Sequence, residues 1–127
     1  MKTLRALDLF SGGGGISIGL ERAGFDVDGV ELEPFNVAMQ RLNGLKCEQG
    51  DVLTYHPKRK YDLVAGGPPC PAFSYAGLRE GTSCDKGRLY EQLIRIALEA
   101  DAKVVMMENV QGLITSRKGK DFEQVVD

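Results

Sequence analysis

The four consecutive glycines at positions 12–15 limit the possible folds of this chain more than any other feature. An apolar run at residues 3–10 precedes them and predicts a β-strand, and Ile16 and Leu20 after them recur at the spacing of an α-helix. Gly24 then ends the predicted helix, as glycine commonly does. A glycine-rich turn between a strand and a helix lets a ligand approach the backbone closely at the edge of a sheet. The pattern therefore predicts an α/β fold with a ligand site beside this turn.

Strands and helices continue to alternate along the rest of the chain. Further strands are predicted at residues 27–32, 46–51, 61–65 and 104–107. Pro34 is expected to open the second helix. Two helices are predicted from apolar faces, one made of Phe35, Ala38, Met39 and Leu42 and the other of Leu89, Leu93, Ile96, Ala97 and Ala100. The alternation predicts a parallel, three-layer α/β sheet, in which the apolar run 104–107 is expected to be buried on both faces.

Length and composition describe one ordinary globular domain. The chain has 127 residues, 43% of them hydrophobic and 27% charged. It has neither a signal-peptide pattern nor an apolar run of membrane-spanning length, so we expect a cytoplasmic protein without a membrane partner. Its cysteines, Cys47, Cys70 and Cys84, form no CxxC pair, which argues against a disulfide framework or a metal site. The net charge of −2 offers little general attraction for nucleic acid, and the basic run 58–60 is interpreted as a solvated turn.

Two carboxylates suggest that the ligand is a nucleotide-like cofactor. Glu31 ends the second predicted strand, about 20 residues after the glycine turn, where a carboxylate hydrogen-bonds both ribose hydroxyls. Asp51, at the end of the third strand, is placed to accept a hydrogen bond from an adenine amino group, and a turn cap is an equally open interpretation. The turn lacks the Lys-Ser or Lys-Thr pair of a P-loop, which argues against ATP or GTP.

Cys70 is the residue whose surroundings point most directly to chemistry. It lies between Pro69 and Pro71, which fix the backbone around the thiol, at the carboxyl end of the fourth predicted strand. Glu108 ends the fifth predicted strand at the same edge of the sheet. A thiolate beside a carboxyl group suits addition to a conjugated ring, with the acid holding or protonating a ring nitrogen.

Together these motifs resemble the cytosine-5 DNA methyltransferase family, and nearly the whole chain takes part. The resemblance rests on the ordered segments 8–15, 31, 50–51, 68–70 and 108–110. It implies a Rossmann-like S-adenosylmethionine-dependent methyltransferase sandwich that is incomplete, with about five parallel strands and no closing strands. It also implies S-adenosylmethionine as the cofactor and S-adenosylhomocysteine as the product. The implied cofactor contacts are Phe10 on the adenine, Gly12 and Gly15 at the methionine end, Glu31, Asp51, Pro69, and Leu89 closing over the cofactor.

The resemblance further implies a reaction on double-stranded DNA. A cytosine flipped out of the duplex enters the site, Cys70 attacks its C6, and Glu108 holds N3 and the exocyclic amine. The C5 atom then takes the methyl group, a base removes the C5 proton, and the thiol leaves. The cysteine after the two prolines replaces the aromatic residue of amino methyltransferases and selects carbon chemistry. Residues 72–87 are expected to close over the DNA.

Two residues and one absence depart from the family pattern. Pro71 stands where glutamine is common, and Ile16 stands where phenylalanine is common. After residue 110, the later motifs, the target recognition domain and the closing strands have no counterpart. We therefore expect a partial catalytic domain over residues 1–127, as a fragment or one subunit of a split enzyme of restriction-modification or phage type. A complementary polypeptide would carry target recognition and cover the open apolar edge at 104–107. A catalytically silent cofactor-binding or partner-binding module and a transfer RNA cytosine-5 methyltransferase are the alternatives.

Overall fold

The computed structural model describes residues 2–67 and 89–108, which form a five-stranded parallel sheet with helices on both faces. The strands are β1 (Arg5–Leu9), β2 (Asp26–Glu31), β3 (Cys47–Gln49), β4 (Leu63–Gly66) and β5 (Val104–Met107). The helices are α1 (Gly15–Arg22), α2 (Pro34–Leu42) and α3 (Tyr90–Glu99). The strand order is β3-β2-β1-β4-β5, so the topology switches direction between β1 and β4. This arrangement confirms the predicted α/β class, and ligands bind at such a switch point in open parallel sheets.

Alternate residues along the strands build two separate cores, one on each face of the sheet. Leu7 and Leu9 of β1 pack with Leu93 and Ile96 of α3 on one face. Ala6 of β1 belongs to the other face, in a cluster whose remaining buried members are Leu20, Val27, Leu63 and Ala65. Successive strand residues point to opposite faces, so this division follows directly from the strand geometry. The predicted three layers are confirmed in the described residues.

Helix α2 buries a different face from the one that the apolar pattern predicted. Phe35 and Leu42, two members of the predicted core face, are 77% and 88% exposed, whereas the buried residues of α2 are Val37 and Gln40. The prediction was therefore wrong for this helix. Gln40 can be buried because its amide is hydrogen-bonded inside the fold, and a polar side chain that is hydrogen-bonded can occupy a buried position.

The exposure of β5 also corrects the sequence analysis. Val104, Val105 and Met106 are 56%, 40% and 40% exposed, so the run is not buried on both faces. Within the described residues β5 pairs with β4 alone. An exposed apolar edge is the arrangement that the sequence predicted for an incomplete sheet.

Asp8, in the middle of β1, is a fully buried carboxylic acid. Its Oδ2 accepts a hydrogen bond of 2.7 Å from the hydroxyl of Ser17 on α1, and its Oδ1 has no partner among the described residues. Burial disfavours the charged form and raises the pKa of Asp8 from 3.8 to about 6. The folded state therefore holds this proton more tightly than the unfolded chain does.

Replacing Asp8 by asparagine should change how stability depends on pH. The pKa of Asp8 is higher in the folded state than in the unfolded chain. Protonation of Asp8 therefore contributes fully to the free energy of unfolding below about pH 4, and this contribution is lost as the pH rises through about 6. The Asp8→Asn variant carries no such proton. The difference between its free energy of unfolding and that of the wild type should therefore rise by about 2 kcal/mol between about pH 4 and pH 8. Urea unfolding across this range measures the difference. Asp101→Asn, which alters an exposed carboxylate, should follow the wild-type curve, and a flat Asp8→Asn difference would contradict the prediction.

Candidate functional site

A cavity of about 410 Å³ opens at the carboxyl ends of β1, β2 and β4, where the strand order switches. It brings together five of the residues predicted to bind the cofactor, namely Phe10, Gly12, Glu31, Asp51 and Leu89. The other lining residues are Val30, Leu32, Glu33, Gly50, Val52, Leu53 and Gly67. Gly15, also predicted to contact the cofactor, is the first residue of α1 and is not one of the lining residues.

Two other cavities of similar size have no comparable chemistry. One, of about 490 Å³, lies beside β3, and its charged residues pair with each other, Lys46 with Asp28 and Lys58 with Glu48. The other, of about 500 Å³, lies at the opposite end of the sheet, near Arg5. Of these three cavities, all formed by residues 2–67 and 89–108, the one at the switch point combines apolar walls, backbone amides and carboxylates at the carboxyl ends of the strands, which is where parallel sheets bind ligands.

Glu31 is the best-positioned polar group of this cavity. Its Oε1 accepts a hydrogen bond of 3.0 Å from the backbone amide of Gly12. Its Oε2 accepts from the backbone amide of Glu33 at 2.8 Å and from Nδ2 of Asn36 at 3.2 Å. A carboxylate offers about four acceptor sites, so these three bonds fix its orientation and leave capacity for a ligand hydroxyl. The predicted ribose carboxylate is thus buried, held in one orientation and part of the cavity lining.

The backbone of the glycine turn has an unusual conformation at two residues that line the cavity. Phe10 has φ = 55° and Gly12 has φ = 52°. Glycine adopts this left-handed conformation without cost, whereas in a bulky residue such as phenylalanine it is rare and strained. At Phe10 the conformation ends β1 and directs the aromatic side chain to the wall of the cavity. The sequence showed a flexible turn but not this reversal at Phe10.

Asp51 caps a turn, which is one of the two interpretations left open from the sequence. Its Oδ1 accepts a hydrogen bond of 2.9 Å from the backbone amide of Leu53, which caps the turn after β3. The residue also lines the cavity. A contact with an adenine amino group stays a prediction.

Arg95 on α3 supports the wall that carries Asp51, and the sequence analysis did not identify it. Its Nη2 donates to the carbonyl oxygens of Val52 and Tyr55, each at 2.9 Å. Its other nitrogens donate to Gln92 and Glu99 at 2.7 and 2.6 Å. Of these contacts, those with Gln92 and Glu99 join residues three and four positions apart on one helix face, whereas the contacts with Val52 and Tyr55 span 43 and 40 positions.

Glu108 lies directly over the backbone of Gly67. Its backbone amide donates to the carbonyl oxygen of Gly66 at 3.0 Å, and a Cβ atom added at Gly67 would lie 2.5 Å from Glu108 Oε2. A side chain at position 67 would therefore push the Glu108 carboxylate out of its present position. Gly67 precedes Cys70 by three residues in the sequence, so Glu108 flanks the start of the segment that carries the predicted nucleophile. Cys70 and Pro69 lie outside the described residues, as does the segment 72–87.

Other residues singled out from the sequence lie away from the cavity. Cys47 is a buried free thiol in β3, and burial raises its pKa. The side chains of Lys58 and Lys60 are 82% and 83% exposed, as expected for a solvated turn. Arg59 differs, because its side chain is only 39% exposed and its guanidinium pairs with the partly buried Asp28. Across residues 2–67 and 89–108, no three histidine, cysteine or acidic side chains cluster as a metal site would require.

Helices α1, α2 and α3 are all too short and too polar to cross a membrane, and no other helix of the described residues could do so.

Solved structures with the same fold come from several methyltransferases. A Pyrococcus abyssi tRNA (uracil-54, C5)-methyltransferase in complex with S-adenosyl-L-homocysteine is 21% identical, with a TM-score of 0.66 over 99% of this chain and 27% of its own. A TehB-like SAM-dependent methyltransferase from Corynebacterium glutamicum is 22% identical, with a TM-score of 0.62 over 98% of this chain and 64% of its own. At these identities the likeness establishes the fold, a Rossmann-like methyltransferase sheet.

Sequence comparison identifies the family. The C-5 cytosine-specific DNA methylase family matches residues 4–127. Type II methyltransferase M.NgoMIV of Neisseria gonorrhoeae is 42% identical over 86% of this chain and 36% of its own length. Type II methyltransferase M.AquIA of Picosynechococcus is 36% identical over 96% of this chain and 54% of its own length. The chain thus spans about a third to a half of the relatives that it matches. It belongs to the C-5 cytosine-specific DNA methylase family.

Proposed function

We propose that this chain is the cofactor-binding and catalytic half of a DNA (cytosine-5-)-methyltransferase. The observation that carries the proposal is the placement of Glu31 and Gly67 in one cavity, with Glu108 directly over Gly67. Glu31 is the kind of carboxylate that binds a nucleoside. Glu108 flanks the segment that leads to Cys70. The cofactor site and the reacting groups would therefore meet at one edge of the sheet.

The cavity suits S-adenosylmethionine in size and chemistry. Its volume of about 410 Å³ lies within the range of about 300 to 1,000 Å³ that is usual for small-molecule sites. Glu31 has acceptor capacity for a ribose hydroxyl, while Phe10 and Leu89 offer apolar surface to a purine ring. When bound, S-adenosylmethionine supplies an electrophilic methyl group on a sulfonium. Phe10, Gly12, Glu31, Asp51 and Leu89 would hold it, and we propose the same for Gly15 and Pro69.

The chain's own residues would activate the cytosine for this transfer. The Cys70 thiolate forms a bond to C6 of the flipped base, and the electrons of the C5–C6 double bond move to C5. Glu108, as a carboxylic acid, donates a hydrogen bond to N3 or protonates it, which stabilises the negative charge delocalised into the ring. C5 takes the methyl group as the methyl–sulfur bond breaks, and its electron pair stays on the sulfur of the departing S-adenosylhomocysteine. A base then removes the C5 proton, the electrons re-form the double bond, and the Cys70 thiolate leaves unchanged.

Target recognition is proposed to be carried by a complementary polypeptide or by a continuation of this chain. The relatives are two to three times as long as the segment matched here, so they contain a part that this chain does not cover and that could carry this role. Because relatives such as M.NgoMIV are Type II methyltransferases, we further propose a restriction-modification role in a bacterial cytoplasm, with double-stranded DNA as the substrate.

A complementation experiment tests this proposal. The chain is mixed with the C-terminal remainder of M.NgoMIV, and transfer of a tritium-labelled methyl group from S-adenosylmethionine is measured with DNA and with transfer RNA as substrates. We expect 5-methylcytosine in DNA only. Label in transfer RNA alone would favour an RNA methyltransferase. Cofactor binding without transfer to either, in a mixture shown to form a complex, would favour a catalytically silent module.

A further inference from the structure

Gln40 on α2 is a polar side chain that is completely buried. Its Nε2 donates two hydrogen bonds of 2.7 Å, one to the hydroxyl of Ser11 and one to the carbonyl oxygen of Gly12. The amide of the same Gly12 donates to Glu31. Both backbone polar groups of Gly12 are therefore engaged. Its carbonyl oxygen accepts from Gln40, and its amide donates to Glu31.

The chemistry of the partners fixes the orientation of the Gln40 amide. The carbonyl oxygen of Gly12 can only accept a hydrogen bond, so the NH₂ group must face it. The Ser11 hydroxyl donates to the carbonyl oxygen of Val30 at 3.3 Å, which leaves it free to accept from Gln40. The three groups form a directed chain of hydrogen bonds from α2 through the turn to β2.

Two glycines make the space that this side chain occupies. A Cβ atom at Gly14 would lie 3.3 Å from Gln40 Cγ, and one at Gly29 would lie 3.3 Å from Gln40 Oε1. Oε1 has no hydrogen-bond partner among the described residues, and leaving a buried acceptor unpaired costs stability. An apolar side chain of the same length would fill this space without that cost. The position is therefore explained better by the two bonds that Gln40 donates than by packing.

We infer that Gln40 is a positioning residue for cofactor binding. Its amide holds the Ser11 hydroxyl and the Gly12 carbonyl oxygen, which lie on either side of the Gly12 amide in the chain, so that this amide meets Oε1 of Glu31, a lining residue of the cavity. The inference rests on the proposed function, because the cofactor that Glu31 would bind is part of that proposal.

Amide hydrogen exchange in the free chain tests the first half of the inference. Gln40→Met keeps the length of the side chain but removes both donors, so the Gly12 amide should exchange about tenfold faster. The matched control is Val37→Ala, which alters the neighbouring buried residue of α2 and destabilises the fold. In the control, the free energy of opening at the Gly12 amide should change by no more than the free energy of global unfolding does. If Gly12 exchange follows global stability equally in both variants, Gln40 is merely structural and the inference is wrong.

Titration of the full chain with S-adenosylhomocysteine tests the second half. We expect Gln40→Met to bind about tenfold more weakly than the wild type and Val37→Ala to bind with unchanged affinity. Equal affinities of the wild type and Gln40→Met would overturn the inference and leave the proposed function intact. If the wild type binds no S-adenosylhomocysteine, the proposed function fails and the inference fails with it, so the two failures are distinguishable.

Discussion

Replacing Cys70 by alanine should abolish methyl transfer to DNA while the affinity for S-adenosylhomocysteine stays within about twofold of the wild type. The thiolate is the group proposed to form the bond to C6, and without that bond the C5 atom of cytosine is too weak a nucleophile to take a methyl group. Removal of a covalent nucleophile commonly costs several orders of magnitude in turnover. The cofactor contacts proposed for Glu31 and Gly12 do not involve the thiol, so cofactor binding should persist. Methyl transfer is measured in the complemented mixture, and binding is measured on the chain alone.

Cys47, which lies within the described residues, provides the control for this experiment. Cys47→Ala also removes a thiol, but from the buried strand β3, and it should lower stability without reducing turnover of the folded protein. Turnover of Cys70→Ala within about tenfold of the wild type would rule out the covalent mechanism. Loss of cofactor affinity in the same variant would instead show that the segment around Cys70 shapes the cofactor site.

Local sequence signals predicted most of the architecture correctly. Pro34 begins α2 as expected, because its fixed φ suits the first turn of a helix. Gly24, with φ = 100°, follows α1 where the sequence placed the helix stop. Such signals depend on the backbone preferences of single residues, so they can be interpreted without knowing the tertiary structure. The position of Glu31 at the cavity follows from the same kind of evidence, since the carboxyl ends of parallel strands meet at one edge.

Residues whose roles depend on distant partners were not predictable in the same way. Gln40 is separated from Ser11 and Gly12 by 29 and 28 positions, and Arg95 is separated from Val52 by 43. No periodic pattern in the sequence carries information on such contacts. For α2 the apolar residues indicated the wrong face, because the hydrogen bonds that Gln40 donates to the glycine turn bury the face that carries Val37 and Gln40. The exposure of β5 similarly depends on which elements lie beside it.

Replacing Glu31 by alanine should weaken S-adenosylhomocysteine binding by roughly 100-fold. The variant loses the carboxylate proposed to hold the ribose, and it also leaves the amides of Gly12 and Glu33 without their acceptor. Charge-assisted hydrogen bonds contribute about 1.5–3 kcal/mol each, which sets the expected size of the effect. Calorimetric titration of the chain measures it directly. Asp26→Asn is the matched control, because it neutralises a carboxylate at the opposite end of the same strand β2.

A cofactor analogue without ribose hydroxyls separates the contact itself from a general loosening of the site. The wild type should bind S-adenosylhomocysteine more tightly than the dideoxy analogue, whereas Glu31→Ala should bind the two with nearly equal affinity. Such a double cycle isolates the interaction between the carboxylate and the hydroxyls, because effects of the substitution on the fold apply to both ligands. If Glu31→Ala still discriminated between the ligands as strongly as the wild type, the ribose would be recognised by another group. Glu31 would then act only as the acceptor that orders Gly12, and the glycine turn, with Gln40 behind it, would be the principal determinant of cofactor affinity.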